Sequence, residues 1–197
     1  MASSVNYNSV EFIKSAADRK QFIRSSVPSV VFAGKSNVGK SSAINRVLNR
    51  KNFAHVGSTP GKTVHVNYFL VDKKLYLVDL PGYGFANVAR EEKERWSSLM
   101  EAFFAEKDLM TMGVLIVDAR HSPSADDVQM AQWFLSSGCP FLVLANKTDK
   151  LKKSELEKNL PMLRAALSLP EETELIPFSA VTGQGRETLL SAIGRTI

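Results

Sequence analysis

The sequence is nearly devoid of cysteine, since Cys139 is its only one. A disulfide within the chain is thereby excluded, which fits a reducing compartment. Cys139 lies in the apolar stretch 138–141, so we interpret it as a packing residue and not as a nucleophile. No uninterrupted apolar run approaches the length of a membrane span, and residues 1–14 lack the pattern of a signal peptide. We therefore expect a cytoplasmic protein that does not enter a membrane.

The chain also lacks internal repeats, low-complexity tracts and linkers. Its three histidines, His55, His65 and His121, make no metal-ligand spacing with one another or with the cysteine. The net charge of +5 permits a polyanionic partner without requiring one. With 197 residues and 44% hydrophobic content, the chain is long enough to bury one sizeable core.

Strand-like and helix-like segments alternate along the chain, which is typical of a doubly wound α/β domain. We predict a mostly parallel six-stranded sheet. The runs 64–71 and 75–80 form a hairpin around the polar segment 72–74, and the first run is the one antiparallel strand, because too few residues remain for a helical crossover. The other strands are predicted at residues 28–33, 113–118, 141–145 and 175–178. Helices are predicted at residues 43–48, 91–106, 152–169 and 187–193, with one more starting at 122–124.

The N-terminal part is predicted to be an extension, residues 1–27, packed on a single domain formed by residues 28–197. Within the extension we expect a short edge segment at 10–13 and a polar helical turn at 16–23.

The segment 34–41, GKSNVGKS, matches the phosphate-binding loop and has the surroundings that this loop requires. The apolar run 30–33 precedes it, and the helical pattern 43–48 follows it. Backbone N–H groups of such a loop form an anion-binding nest, and the helix behind it presents its positive end. In this motif Lys40 reaches the β- and γ-phosphates, and the hydroxyl of Ser41 ligates Mg²⁺. The segment predicts a nucleotide site.

The segment 146–149, NKTD, follows a buried strand and favours guanine over adenine. The carboxylate of Asp149 can accept hydrogen bonds from both the N1–H and the exocyclic amine of guanine, a pattern that adenine reverses. Asn146 holds the O6/N7 edge of the base or braces neighbouring loops, and the stem of Lys147 covers the base. Taken alone, the segment also fits a helix cap with Asp149 at the N-cap. Small residues at 178–180 would let backbone N–H groups approach the guanine O6.

Two further loops carry the residues of a nucleotide-dependent switch. Asp79 ends the strand after the hairpin, where a carboxylate can hold Mg²⁺ through water. Gly82 leaves its N–H free to meet a γ-phosphate and to release it after hydrolysis. The Gly- and Pro-rich loop 57–63 contains Thr59 and Thr63. We favour Thr63 as the Mg²⁺ ligand that depends on the γ-phosphate, because it abuts the next strand.

Together these motifs occur in the order typical of translation-factor-type small GTPases, and their amino-acid sequences resemble those of the EngB (YihA/YsxC) family. The resemblance rests on GKSNVGKS at 34–41, TPGKT at 59–63, DLPGYGFA at 79–86 and DARHSPSADD at 118–127. It implies the P-loop G domain of a bacterial GTPase that is needed for assembly of the large ribosomal subunit, and through it for normal growth and division. The implied ligands are GTP, GDP and Mg²⁺, and the implied partner is a large-subunit precursor with its rRNA and proteins. We expect a monomer that uses neither DNA nor a membrane.

The resemblance implies nucleotide contacts in each of these loops. In the phosphate loop they are Gly34, Lys35, Ser36, Asn37, Val38, Gly39, Lys40 and Ser41. On either side of the hairpin they are Gly61, Lys62, Thr63, Val64, His65, Asp79, Leu80, Pro81 and Gly82. Towards the base they are Asn146, Lys147, Thr148, Asp149, Phe178, Ser179 and Ala180. Mg²⁺ is assigned to Ser41, Thr63 and Asp79, and the catalytic residues are Lys40, Thr63 and Gly82.

The motifs lack two groups that can accelerate GTP hydrolysis, a water-orienting Gln and an Arg in the phosphate loop. Tyr83 follows Gly82, where Ras-like enzymes orient the attacking water with a nearby Gln, and the phosphate loop contains no Arg. We therefore predict slow intrinsic GTP hydrolysis that a partner or a cation raises. Asn37 occupies the position that helps to bind K⁺ in related potassium-activated GTPases, and it equally suits a role in shaping the loop.

Two other functions stay open at this point. A GTPase in tRNA modification or membrane-associated transport would share the nucleotide motifs. A GTP-binding assembly module with incidental hydrolysis would suit Tyr83. For the leading function, rRNA contacts are expected at the basic segment 150–153 and at the group Arg46, Arg50 and Lys51.

Overall fold

A computed structural model describes residues 5–54, 64–84 and 89–197. Within these ranges the chain forms one sheet of seven strands and five α-helices. The strands are β1, Val10–Ala16; β2, Ser29–Gly34; β3, Val66–Val71; β4, Leu75–Asp79; β5, Met112–Asp118; β6, Phe141–Asn146; and β7, Leu175–Pro177. The helices are α1, Lys40–Val47; α2, Arg90–Phe104; α3, Ala125–Ser137; α4, Lys153–Ala166; and α5, Arg186–Thr196. None of these described helices is long and apolar enough to cross a membrane.

The strand order across the sheet is β1-β3-β4-β2-β5-β6-β7. β3 is antiparallel to both of its neighbours, and every other adjacent pair of strands is parallel. The turn between β3 and β4 places Asp72 and Lys73 in the left-handed region, at φ +51° and +55°. The doubly wound α/β fold, with one antiparallel strand and a hairpin at 72–74, is confirmed.

The number of strands differs from the expected six because the N-terminal segment joins the sheet. β1 extends beyond the edge segment expected at 10–13 and pairs with β3 along its length. Glu11, Phe12 and Ile13 are all exposed, so this part of β1 lacks the inward–outward alternation that marks a half-buried strand. The helical turn expected at 16–23 is also shorter, since Ala16 ends β1 and only Arg19–Gln21 form a 3-10 turn.

The sheet separates two apolar clusters, one on each face. Along β2, Val30 and Phe32 pack with the buried residues of α1 and α5, whereas Val31 and Ala33 pack with those of α2, α3 and α4. All four side chains are buried. A strand that is apolar on both faces is typical of the centre of a parallel sheet, which explains why β2 lies in the middle.

β2 is also the strand at which the order reverses, with β4 on one side and β5 on the other. Ligands of open α/β sheets bind outside the carboxyl ends of the strands at such a point. The loops after β2, β4, β6 and β7 meet at this edge, and they carry the residues that the sequence assigns to the nucleotide.

Candidate nucleotide-binding site

The phosphate loop joins the carboxyl end of β2 to the first turn of α1. Helix α1 begins at Lys40, and its N-cap is Gly39 at φ +96°. A Cβ at position 39 would lie 2.5 Å from Nδ2 of Asn146, so both the left-handed backbone and the close approach require glycine. The first N–H groups of a helix have no partner within it, so this end of α1 is suited to an anion.

The ammonium of Lys40 forms an ion pair with the carboxylate of Asp79 at the end of β4. Both side chains are 11% exposed. The parallel pairing of β2 with β4 brings the two strand ends side by side. The structure thus brings together the two charged residues that the sequence assigns to the phosphates and to Mg²⁺.

The donor atoms at this position suit Mg²⁺ in kind. Ser41 lies in the first turn of α1, and its hydroxyl, with the carboxylate of Asp79, offers the oxygen ligands that Mg²⁺ prefers. Proteins commonly hold Mg²⁺ with one or two such groups together with the phosphates of the substrate. A hydroxyl and a carboxylate beside a phosphate loop match that arrangement.

The loop before β3 is described only in part. Val64 and His65 are half-buried and directly precede β3. Outside the described residues lie Thr59, Gly61, Lys62 and Thr63. The choice of Thr63 over Thr59 as a Mg²⁺ ligand therefore stays a prediction.

Asn146 holds two loops in contact. Its side-chain Nδ2 donates to the backbone oxygen of Val38 at 2.9 Å, and its Oδ1 accepts from the N–H of Ala180 at 3.3 Å. The residue is buried. Of the two roles that the sequence left open, these contacts correspond to the bracing of loops.

Lys147 connects the base side of the site to the phosphate loop. Its ammonium donates to the backbone oxygen of Asn37 at 2.9 Å and lies 3.0 Å from the carboxylate of Asp118, at the end of β5. Nε and Nη2 of Arg120 donate to the same carboxylate at 2.9 and 2.8 Å. Burial opposes ionisation of Asp118, but the hydrogen bonds from Arg120 and Lys147 outweigh it and hold the pKa of this carboxyl well below its usual range. Lys147 is thereby held over the phosphate loop, where its stem can cover a base.

Asp149 presents an ionised carboxylate. Its Oδ1 accepts from the hydroxyl of Ser179 at 2.7 Å, and this hydrogen bond lowers the pKa of Asp149. The anion is the form that accepts both N–H groups of guanine. The helix-cap alternative for Asp149 is wrong, because Lys147 is the N-cap of the 3-10 turn Thr148–Lys150 and Lys152 is the N-cap of α4.

The loop after β7 is fastened to both neighbouring elements. Thr148 donates to the backbone oxygen of Phe178 from its N–H at 3.2 Å and from its hydroxyl at 3.0 Å. Arg46 of α1 donates to the backbone oxygens of Ala180 at 2.8 Å and Val181 at 2.6 Å. Helix α1 therefore supports the phosphate loop at its start and the base-side loop further along.

Arg46 and Arg50, two members of the basic group expected to contact rRNA, also make contacts within the chain, and the rRNA contact stays a prediction. Arg46 binds the loop after β7, and Arg50 donates to the backbone oxygen of Asn8 at 2.6 Å. The guanidinium group carries five N–H donors, so it suits loop carbonyls that have no partner in the sheet.

The loop after β4 touches the phosphate loop directly. The N–H of Ser36 donates to the backbone oxygen of Tyr83 at 2.9 Å. A Cβ at Gly82 would lie 2.9 Å from the hydroxyl of Ser36, so the loops come this close because residue 82 is glycine. The side chain of Tyr83 is 3% exposed, and its hydroxyl donates to Asp127 of α3 at 2.7 Å. Tyr83 is therefore a buried residue and has no free hydroxyl to orient a water.

Sequence reasoning missed three contributors to this site, Asp118, Arg120 and Arg46. Asp118 ends β5 as Asp79 ends β4, and this position was the signal that could have identified it. Arg46 gives no such signal, since its partners lie 134 and 135 positions away.

Comparison with protein families and relatives agrees with this geometry. The sequence model of the 50S ribosome-binding GTPase family matches residues 29–147. A probable GTP-binding protein EngB of Geobacillus sp. strain WCH70 is 42% identical over 191 residues, which are 97% of this chain and 99% of the relative. The protein of the same description from Pelotomaculum thermopropionicum is 43% identical over 187 residues, which are 95% of this chain and 94% of the relative.

A solved structure shows the same likeness. The crystal structure of a probable GTP-binding protein EngB is 26% identical to this chain and superposes with a TM-score of 0.72. The match covers 86% of this chain and 98% of the other. This chain therefore belongs to the EngB family of GTP-binding proteins and is a GTPase that binds GTP and GDP.

Proposed function

We propose that this GTPase is a nucleotide-controlled switch in the assembly of the large ribosomal subunit, and that growth and division depend on it. The observation that carries the switch is the hydrogen bond from Ser36 to Tyr83, which sets Gly82 against the phosphate loop. A loop that responds to the γ-phosphate has to touch the loop that binds it. The ribosomal role is supported by the description of the matching family as a 50S ribosome-binding GTPase.

The proposed nucleotide domain comprises residues 28–197, with residues 1–27 as an extension packed on it. The antiparallel pairing of β1 with β3 supports this packing.

The phosphate end of the site is proposed to use Lys40 on the β- and γ-phosphates, with the backbone N–H groups of residues 34–41 around them. Mg²⁺ would be held by Ser41, Thr63 and, through water, Asp79. The ion supplies neutralisation of the charge on the β- and γ-phosphates. Lys40 and Asp79 are only slightly exposed, so their interactions with phosphate and metal are stronger than at an open surface.

The base end is proposed to select guanine through the carboxylate of Asp149, whose Oδ1 accepts from the hydroxyl of Ser179 at 2.7 Å. Lys147 covers the base, and the backbone N–H groups of residues 178–180 meet the guanine O6. Asn146 supports this end indirectly, by fixing the loops that carry the recognition groups.

Hydrolysis is proposed to be slow in the isolated protein, because Tyr83 is buried and does not replace the water-orienting Gln of Ras-like enzymes. A large-subunit particle, or K⁺ bound near Asn37, would raise the rate. Turnover measured in KCl and in NaCl, each with and without large-subunit particles, tests this proposal. The same rate in all four conditions would contradict both forms of activation.

A second candidate is a GTP-binding assembly module in which hydrolysis is incidental, and the burial of Tyr83 favours it. A variant that binds GTP but does not hydrolyse it separates the two functions. Full support of growth by such a variant would favour the module, whereas arrested growth with trapped particles would favour the switch.

Depletion of the protein followed by sucrose-gradient analysis of ribosomal particles tests the proposed function as a whole. We expect fewer mature large subunits and more large-subunit precursors, restored by the parent chain and by the surface variant Asp126→Asn. The guanine-site variant Asp149→Asn should not restore them. An unchanged particle profile on depletion would rule out the assembly role.

A further inference from the structure

Gly82 lies between two residues that are each fastened to a different helix. On one side, Nε1 of Trp96 in α2 donates to the backbone oxygen of Pro81 at 3.2 Å. On the other side, the hydroxyl of Tyr83 donates to Asp127 in α3 at 2.7 Å. The position of the Gly82 peptide is therefore set by contacts to both helices, in addition to the contact of Tyr83 with the phosphate loop.

The anchor on α3 is itself fixed. While Oδ1 of Asp127 accepts from Tyr83, its Oδ2 accepts from the N–H and the hydroxyl of Ser124 at 2.8 and 2.6 Å. Ser124 is the N-cap of α3, and the two residues form a capping box. Asp127 is buried, so its carboxylate depends on these donors. Because Ser124 holds the carboxylate of Asp127 in place, the hydrogen bond to this carboxylate restricts the movement of the Tyr83 side chain.

The surroundings of Tyr83 keep its hydroxyl a donor. Burial, and then the carboxylate of Asp127, raise the pKa of Tyr83 well above its usual value. Its ring meets the edge of Trp96 at a centroid distance of 6.0 Å. Trp96 in turn stacks on Trp133 of α3 at 5.8 Å, so the aromatic contacts span both helices.

We propose that Tyr83 is a positioning residue for GTP hydrolysis: its hydroxyl, bound to Asp127, holds the Gly82 peptide where it meets the γ-phosphate. The same hydrogen bond transmits the state of that phosphate to the start of α3. The inference rests on the proposed role of Gly82 in the switch. It assigns a function to the hydroxyl of Tyr83 that core packing does not require, because phenylalanine would fill the same space.

The variant Tyr83→Phe tests this directly, since it keeps the ring and removes only the hydroxyl. We expect kcat for GTP hydrolysis to fall about tenfold, the loss of one hydrogen bond to a charged partner, while GDP affinity stays within about twofold of the parent. Affinity for a non-hydrolysable GTP analogue should fall relative to GDP, because only the analogue reaches Gly82. Tyr76→Phe is the matched control, because it removes the hydroxyl of a half-buried tyrosine near the start of β4, at the end of that strand opposite Asp79; it should leave kcat and the affinity ratio unchanged.

Tryptophan fluorescence provides a second readout, since Trp96 and Trp133 are the only tryptophans in the chain. In a Trp133→Phe background, the emission of Trp96 should differ between the GDP and GTP-analogue states, and Tyr83→Phe should remove that difference. A second variant, Trp96→Phe, keeps an aromatic ring but loses the hydrogen bond to Pro81. We expect it to lower kcat as Tyr83→Phe does. It provides the test if Tyr83→Phe does not fold.

The outcomes separate the inference from the proposed function. If the parent distinguishes GDP from the analogue and Tyr83→Phe keeps both this difference and its kcat, Tyr83 is a packing residue and the inference is overturned. If the parent itself shows no difference between the two nucleotides, the switch fails, and the inference fails with it.

Discussion

Asn146 and Val38 are 108 positions apart in the sequence, yet the side-chain amide of Asn146 donates to the backbone oxygen of Val38 at 2.9 Å. This bond joins the base-side segment after β6 to the phosphate loop after β2. Since the oxygen of the same amide accepts from Ala180, one buried side chain relates three loops to one another. We therefore propose that Asn146 couples recognition of the base to binding of the phosphates.

Replacing this side chain should weaken both nucleotides together. For Asn146→Ala we expect a loss of about 2–3 kcal/mol in binding, or about 100-fold, because two hydrogen bonds of a buried side chain are removed. Isothermal titration calorimetry with GDP and with a GTP analogue measures it. Asn159→Ala is the control, since Asn159 donates in the same way to the backbone oxygen of Ala119 at 2.9 Å. Equal losses of affinity in both variants would contradict the coupling.

Asp149→Asn should change the base that is bound. An amide in place of the carboxylate cannot accept from both guanine N–H groups, but it can donate to the carbonyl that xanthine carries in place of the amine. We expect GTP affinity to fall by at least about 100-fold and XTP to become the better ligand. Competition between the two nucleotides measures the change, with Asp126→Asn as the control that keeps GTP preference. Retention of GTP preference by Asp149→Asn would refute the assignment of Asp149 to the base.

Gly82→Ala should force the two phosphate-side loops apart, because its Cβ would lie 2.9 Å from the hydroxyl of Ser36. We expect slower hydrolysis and weaker binding of a GTP analogue, with GDP binding nearly unchanged. The double variant Ser36→Ala with Gly82→Ala removes the opposing oxygen and should recover part of the loss. Single-turnover hydrolysis of the two single variants and the double variant gives the coupling between the positions. Strictly additive effects would mean that the close approach does not matter.

The stability contributed by Asp118 should depend on pH. The hydrogen bonds from Arg120 and Lys147 set the pKa of Asp118 below its value in the unfolded chain, which is about 3.9. The contribution of Asp118 to stability is therefore fully present above the pKa of the unfolded chain. It is lost as the pH falls from there towards the lower pKa of the folded chain. Asp118→Asn should lower the free energy of unfolding by about 1–2 kcal/mol at neutral pH, with a difference that shrinks between about pH 5 and about pH 2.5.

Urea unfolding of the parent and of Asp118→Asn across this pH range checks that prediction. Asp108→Asn is the control at an exposed carboxylate. A difference between Asp118→Asn and the parent that stays constant down to the lowest pH would show that the hydrogen bonds do not depend on the charge of Asp118.

Local sequence patterns were sufficient for the alternation of strands and helices and for the hairpin at 72–74. They also indicated Lys40, which begins the helix after β2, and Asp79, which ends β4, because the carboxyl ends of parallel strands meet at one edge. Such motifs can be predicted because each spans only a few consecutive residues, and because the chemistry of phosphate or guanine determines which side chains fit.

The long-range contacts that hold the site together could not be predicted from the sequence. Tyr83 and Asp127 are 44 positions apart, and nothing in either local pattern pairs them. β1 was underestimated for a related reason: its place in the sheet depends on hydrogen bonds to β3, while the polar residues Lys14 and Ser15 interrupt the apolar pattern that begins at Val10. Such long-range contacts depend on the packing of the whole domain and not on local propensity.

The central claim, a switch that engages large-subunit particles, is tested most directly by co-sedimentation of the purified protein with those particles in each nucleotide state. With a non-hydrolysable GTP analogue we expect binding that weakens as salt is raised, since rRNA is a polyanion, and with GDP we expect much weaker binding at every salt concentration. Asp149→Asn should bind the particles with an XTP analogue and not with the GTP analogue. Equal binding in the GDP and GTP-analogue states would contradict the account.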